Sequence, residues 1–291
     1  MDVLPVPAAR DAATVLAQWR WDPLTVAGML AAGSLYALGV ARVRRAGGRW
    51  PIAWSAWFSV GLASLALALV SPIDAYADVS FAVHMGQHLL LTLLAPPLLA
   101  LGAPITLALR ASTPRPGRAI TSVLKSHVVS FLGRPVVGWL LFVTVPVVVH
   151  YSPLFDLALR SRPWHAFEHI LGVSAALVYW WPIVGRDPSP HPVRYPVRLL
   201  SMFLAMPATS FLALALYTTA VPLYPTYAAL PAPWGPSALG DQKDAAVLMW
   251  LVGNLGMMVA MLLVAAAWKR DDDARQRRIE ARADGLAAAG V

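Results

Sequence analysis

Seven stretches of this chain are almost wholly apolar, at about 24–41, 53–70, 80–101, 136–150, 164–184, 197–219 and 245–268, and runs rich in Arg, Pro and Gly separate them. A helix rises about 1.5 Å per residue, so roughly 20 apolar residues cross a hydrocarbon core of about 30 Å. In lipid the backbone must satisfy its own hydrogen bonds. The pattern therefore predicts an all-α integral membrane protein, a seven-transmembrane-helix bundle. Two stretches depart from regularity. The third carries Pro96-Pro97 and Gly102, which predicts a break or kink near its middle. The fourth is short for a bilayer unless it begins before Arg134-Pro135. Trp50, Trp54, Trp57, Trp180, Trp181 and Trp268 read as an aromatic belt along one interface.

Composition supports a membrane class: 58% of residues are hydrophobic, 13% are charged and the mean hydropathy is +0.60. Soluble domains carry about 25% charged residues. The net charge of +8 does not point to nucleic acid, because the basic residues lie between and after the apolar stretches. One set of loops and the tail hold 18 Lys and Arg residues, the other set 5. The positive-inside rule then places the N-terminus outside and the C-terminus in the cytoplasm. Residues 1–23 form an external segment, 24–268 the seven-helix transmembrane domain, and 269–291 a charged cytoplasmic tail, either a short helix or a frayed end. The start, Met1-Asp-Val-Leu-Pro5, lacks a signal peptide's basic and apolar regions, so the first stretch reads as a permanent span. With no cysteine there is no disulfide, thiolate metal site, CxxCH haem attachment or iron–sulfur cluster.

Candidate chemistry concentrates in two matching patterns, His84-Met-Gly-Gln87-His88 and His165-Ala-Phe-Glu168-His169. On a helix, residues i, i+3 and i+4 share a face, so each pattern presents two imidazoles together. The predicted topology puts all four in the outer third of the membrane, with His150 closing the fourth helix at the same depth. Ligand-type side chains inside a membrane are costly and usually functional. The four histidines read as a metal or haem site, with Gln87 and Glu168 orienting an imidazole, Glu168 also a candidate ligand, and His150 a further candidate. His127 and His191 read as ordinary loop residues.

Imidazoles without thiolate suit copper, zinc, iron or nickel. Met85 directly follows His84, and Met202, Met206, Met249, Met257, Met258 and Met261 lie on the last two helices. Thioethers tilt the choice toward Cu(I), although core packing is the ordinary use of methionine. Asp241 and Asp244 read either as cation recruiters or as plain helix N-terminal charges. Two alternatives use the same residues: haem b held between two axial histidines, such as His88 and His169, and zinc with three protein ligands in an intramembrane hydrolase with Glu168 as general base. The loop 220–244, rich in proline and aromatic residues, reads as a lid, a docking surface or an ordered interfacial loop.

The stretch His84-Met-Gly-Gln-His-Leu-Leu-Leu-Thr-Leu-Leu-Ala-Pro-Pro-Leu-Leu-Ala-Leu-Gly-Ala-Pro104 resembles the signature of the multi-span CtaG family of cytochrome c oxidase assembly proteins. Trp164-His-Ala-Phe-Glu-His169, followed by Tyr179-Trp-Trp-Pro182, resembles that family's second motif, and the likeness spans roughly residues 20–270. The resemblance implies a non-enzymatic role in oxidase assembly, binding copper and delivering it to subunit I of a haem–copper oxidase, with Cu(I) the form that the thioethers favour. Carried over by motif, His84, His88, His165 and His169 are the metal ligands, with Met85, Gln87 and Glu168 in support. It also implies a multi-pass protein in the inner or plasma membrane of a bacterium, with copper uptake as a further alternative and homo-oligomerisation left open.

Overall fold

A computed structural model describes residues 12–230 and 236–288 and contains helices without strands among them. In order these are α1 (Ala12–Ala17), α2 (Pro23–Arg45), α3 (Ile52–Leu69), α4 (Pro72–Ala77) and α5 (Phe81–Leu89). A π-helical turn over 90–94 leads to α6 (Ala95–Leu101), followed by α7 (Pro104–Ala111), α8 (Pro114–Leu124) and α9 (His127–Leu132). Then come α10 (Pro135–His150), α11 (Pro153–Arg160), α12 (Arg162–Val184), α13 (Tyr195–Thr218), α14 (Pro225–Ala228) and α15 (Ala238–Ala288).

Six of the expected spans are long and apolar enough to cross a membrane: Pro23–Arg45, Ile52–Leu69, Phe81–Ala111, Arg162–Val184, Tyr195–Thr218 and Ala238–Ala281. The fourth stretch forms α10 alone, 16 residues long, and then bends by 71° into α11; the pair makes a seventh span if counted as one. α10 starts at Pro135, so it gains no length from the preceding loop.

The third span does not break at its prolines: the helix runs on through them, and a π-helical turn over 90–94 takes them up. Pro96 and Pro97 have no N–H, so the Thr92 carbonyl loses both its α-type and its π-type partner. The indole N–H of Trp180 donates to that carbonyl instead, at 3.0 Å. Trp180 is buried inside the bundle, and so is Trp50, which lies just before α3 and donates its indole N–H to Tyr36. Trp57 and Trp268 do face outward. Past α6 the chain turns at Ala103, which holds a left-handed φ of 51°, and α7 begins there under a borrowed cap. The Asp187 carboxylate accepts the Ile105 and Thr106 N–H groups at 3.1 and 2.7 Å, while Tyr36 donates to the Gly102 carbonyl at 2.8 Å.

Side-chain contacts sort the loops into two ends. At one, Arg20 pairs with Asp74 and Asp78, Thr226 donates to Asp156, and Gln242 bridges Leu216 and Leu223. At the other, the basic loops meet: Arg186 reaches the Leu101 carbonyl, His191 meets Ser130, and Arg198 holds the end of α12. The tail is helical through Ala288, continuous with the last span, and is anchored where Tyr195 donates to Asp271 and stacks on Trp268. Of the proline-rich loop, Tyr224 and Tyr227 turn inward and are buried, while Pro231, Pro233 and Trp234 lie outside the described residues.

Replacing Trp180 with Phe keeps an aromatic ring but strands the Thr92 carbonyl. An unsatisfied buried acceptor costs about 1–3 kcal/mol. The W180F protein should melt at a clearly lower temperature in detergent, and an unchanged melting temperature would contradict this account of the third span.

Candidate metal centre

α5 starts where two side chains complete its N-terminus. Ser80 accepts the Val83 N–H at 3.3 Å. Asp241, from the first turn of α15, accepts the Phe81 N–H at 2.6 Å, the Ala82 N–H at 3.3 Å and the Ser80 hydroxyl at 2.9 Å. Asp241 is thus a helix N-terminal charge, committed to a neighbouring helix, while Asp244 is exposed. With the start of α5 pinned, His84 and His88 sit one turn apart and face the first turns of α12.

The structure brings His84, His88, His150, His165 and His169 into one cluster. Ring centroids lie 4.6 Å apart for His84–His88, 5.3 Å for His84–His165, 4.3 Å for His165–His169, 5.6 Å for His88–His169 and 6.4 Å for His88–His150. Glu168 enters the same space, with its carboxylate 3.5 Å from His88 Nε2 and 4.0 Å from His84 Nε2. Two sets of three donors have all their ligand atoms within 4.8 Å of one another: His84, His88 and His169, and His84, His165 and Glu168. Two nitrogens bound to one ion at about 2.0–2.1 Å are at most about 4 Å apart. Each set is therefore within small side-chain adjustments of enclosing an ion.

Hydrogen bonds fix which nitrogens are offered. The Tyr227 hydroxyl donates its one proton to the Ala77 carbonyl at 2.6 Å, so at 3.0 Å from His84 it must accept from Nδ1–H. That leaves His84 Nε2 as a lone pair pointing at the cluster, where His88 Nε2 approaches to 2.8 Å. His150 is set in the same way, since its Nδ1 donates to the Pro146 carbonyl at 2.8 Å. Its Nε2 is buried without a hydrogen-bond partner among the described residues, as are His165 Nε2, His169 Nε2 and both oxygens of Glu168.

The supporting residues divide. Gln87 is fully buried, but its amide donates to the Ala68 carbonyl at 2.9 Å and to Asp74 at 3.0 Å, so it faces α3 and α4. Burial holds the Asp74 carboxyl above its usual range despite Arg20 beside it. Met85 is buried among Phe81, Val149, Phe155 and Met249. Phe155 walls the cluster, 5.1 Å from His84 and 4.9 Å from His150 between ring centroids. Tyr227 and Phe155 carry no motif of their own. Tyr227 was visible only as one aromatic residue in the long loop.

Residues 34–271, which include all five histidines, match the family described as cytochrome c oxidase caa3 assembly factor (Caa3_CtaG). The chain belongs to this family. Similar chains include uncharacterized proteins of Mycobacterium bovis and Mycobacterium tuberculosis, each 33% identical over 287 residues. A third, from Mycobacterium leprae, is 33% identical over 278 residues. These alignments cover 96%, 96% and 93% of this chain but only 43%, 43% and 42% of the relatives, so the chain spans less than half their length. No solved structure matches. In this caa3 assembly factor family member, the two histidine motifs and Pro96-Pro97 all fall inside the matched region.

Tyr227 orients His84 without touching the centre of the cluster. Losing a partner of this kind typically costs 10–100-fold in metal affinity. Any metal ion that the cluster takes should bind Tyr227→Phe more weakly by that factor in a chelator competition, with the stoichiometry intact; wild-type affinity in the variant would contradict the orienting role.

Proposed function

We propose that this cytochrome c oxidase assembly factor binds copper at the histidine cluster and delivers it to subunit I of a haem–copper oxidase. The observation that carries the reading is the convergence of five imidazoles and one carboxyl group with five buried polar atoms that no described residue satisfies. In a low-dielectric interior such atoms are expensive to leave bare. A small cation held by either three-donor set would answer several of them together. The donor set is nitrogen-rich and thiolate-free, which fits copper.

The geometry favours an ion over haem. His84 and His88 approach at 2.8 Å between ring nitrogens, and Phe155 packs against His84 and His150, so no planar slot separates the candidate axial pair. The cavity beside the cluster measures about 90 Å³, whereas cofactor pockets run to about 300 Å³ or more.

The basic loops gather at the end opposite the histidines, which supports an outward-facing site in the bacterial plasma membrane. Copper would arrive as cargo and move between imidazoles by ligand exchange. His84 Nε2 is held ready by Tyr227, and the proton that His88 Nε2 donates to His84 would move to His88 Nδ1 when a cation takes the place of that hydrogen bond, so His88 binds as a neutral imidazole. No covalent step is required.

His84→Ala and His169→Ala each remove a donor from a three-donor set, and His84 belongs to both sets. Both variants should insert normally, lose at least tenfold in copper affinity and support assembly of an oxidase deficient in copper. Copper content equal to wild type in both proteins would sink the assignment.

A further inference from the structure

Next to the cluster lies a cavity of about 90 Å³, and its lining includes His88, His150, Met85, Met206, Met249 and Met257. Four of the chain's nine methionines thus converge on one void from three helices, α5, α13 and α15. Methionine is the side chain that ordinarily closes irregular gaps, because it is unbranched and flexible. Here four of them surround a gap with room for about three waters at roughly 30 Å³ each. Filling space does not account for that arrangement.

The donors offered to this void are all neutral and mostly soft. His150 presents Nε2, buried and without a partner among the described residues, because its Nδ1 is spent on the Pro146 carbonyl. The two hydroxyls of the lining are also spent: Thr92 donates to the His88 carbonyl and Thr209 to the Met206 carbonyl. The lining contains no carboxylate. A divalent ion would sit there with its charge uncompensated, at high cost. A monovalent soft cation matches thioether and imidazole donors.

We propose that this cavity is a second metal site, selective for Cu(I) and other soft monovalent cations, built from His150 Nε2 and the thioethers of Met85 and Met249. His88 alone of the set His84, His88 and His169 also lines the cavity, so it stands between the two sites as the exchange ligand. Met257 lies two turns beyond Met249 on α15, about 12 Å further along the span at 1.5 Å per residue. The soft lining therefore extends from the histidine layer toward the middle of the membrane. Met258, its neighbour, faces outward and takes no part. The inference deepens the copper reading above and rests on it for the identity of the cargo.

Silver(I) is a stable probe of such a site. Titrated into the full-length protein in detergent, it should bind with one more equivalent in the wild type than in the Met85→Leu/Met249→Leu variant, a substitution that conserves core volume. The variant should keep the copper held by the histidines. X-ray absorption at the silver edge of the wild type should show sulfur ligands, which reads the site without any variant. Equal silver stoichiometry in the two proteins, or a wild-type spectrum with nitrogen and oxygen ligands alone, overturns the second site and leaves the histidine site standing. Sulfur-ligated silver in a protein whose histidines take up no copper would overturn the histidine reading instead and keep this one.

Discussion

Imidazole nitrogens and carboxyl oxygens buried without a hydrogen-bond partner among the described residues are the constraint on which this molecule turns. Leaving a buried donor or acceptor unsatisfied costs about 1–3 kcal/mol, and five such atoms share one small volume between α5, α10 and α12. A fold that gathers them must gain something from doing so. Packing alone would place apolar side chains there, as it does in the clusters around Trp180 and Phe58. The surrounding contacts make the same point from outside: Tyr227 turns His84, Pro146 turns His150, and Phe155 seals the space beside both. The first two contacts spend Nδ1 of His84 and of His150 and leave Nε2 of each ring to another partner.

The π-helical turn of the third span is the mechanical counterpart. Two adjacent prolines strip the Thr92 carbonyl of its helical partners, and Trp180 replaces them across the interface with α12. That bond links the two helices that carry the paired histidines, three turns from the cluster on each helix or less. Asp241 holds the other end of α5 by capping it from α15. The register of His84 and His88 against Glu168 and His169 is therefore fixed from both ends, and neither fastening is local in sequence.

Sequence shows what helical periodicity controls and hides what folding brings from afar. The histidine pairs were legible because a spacing of four residues places two rings on one face whatever the tertiary structure. An irregularity at Pro96-Pro97 was legible because proline has no N–H, although the π-helical turn that takes it up and the Trp180 bond were not. Tyr227 stands 143 residues from His84 and belongs to a loop whose composition suits an interfacial role equally well. Trp50 and Trp180 read as belt residues because an indole in a membrane protein usually sits at the interface; here each N–H is used inside. Gln87 shares a helical face with the histidines in projection but turns to α3 and α4, where Asp74 and the Ala68 carbonyl accept its amide. Membership of the family described as cytochrome c oxidase caa3 assembly factor rests on the sequence over residues 34–271, and the chemistry is left to be read from the cluster.

The most direct test of the central claim is the metal content and visible spectrum of the protein purified in mild detergent without added metal. The account predicts copper at near-integer stoichiometry and no Soret band. A Soret band, or zinc in place of copper, would contradict it and assign the histidines to a different chemistry.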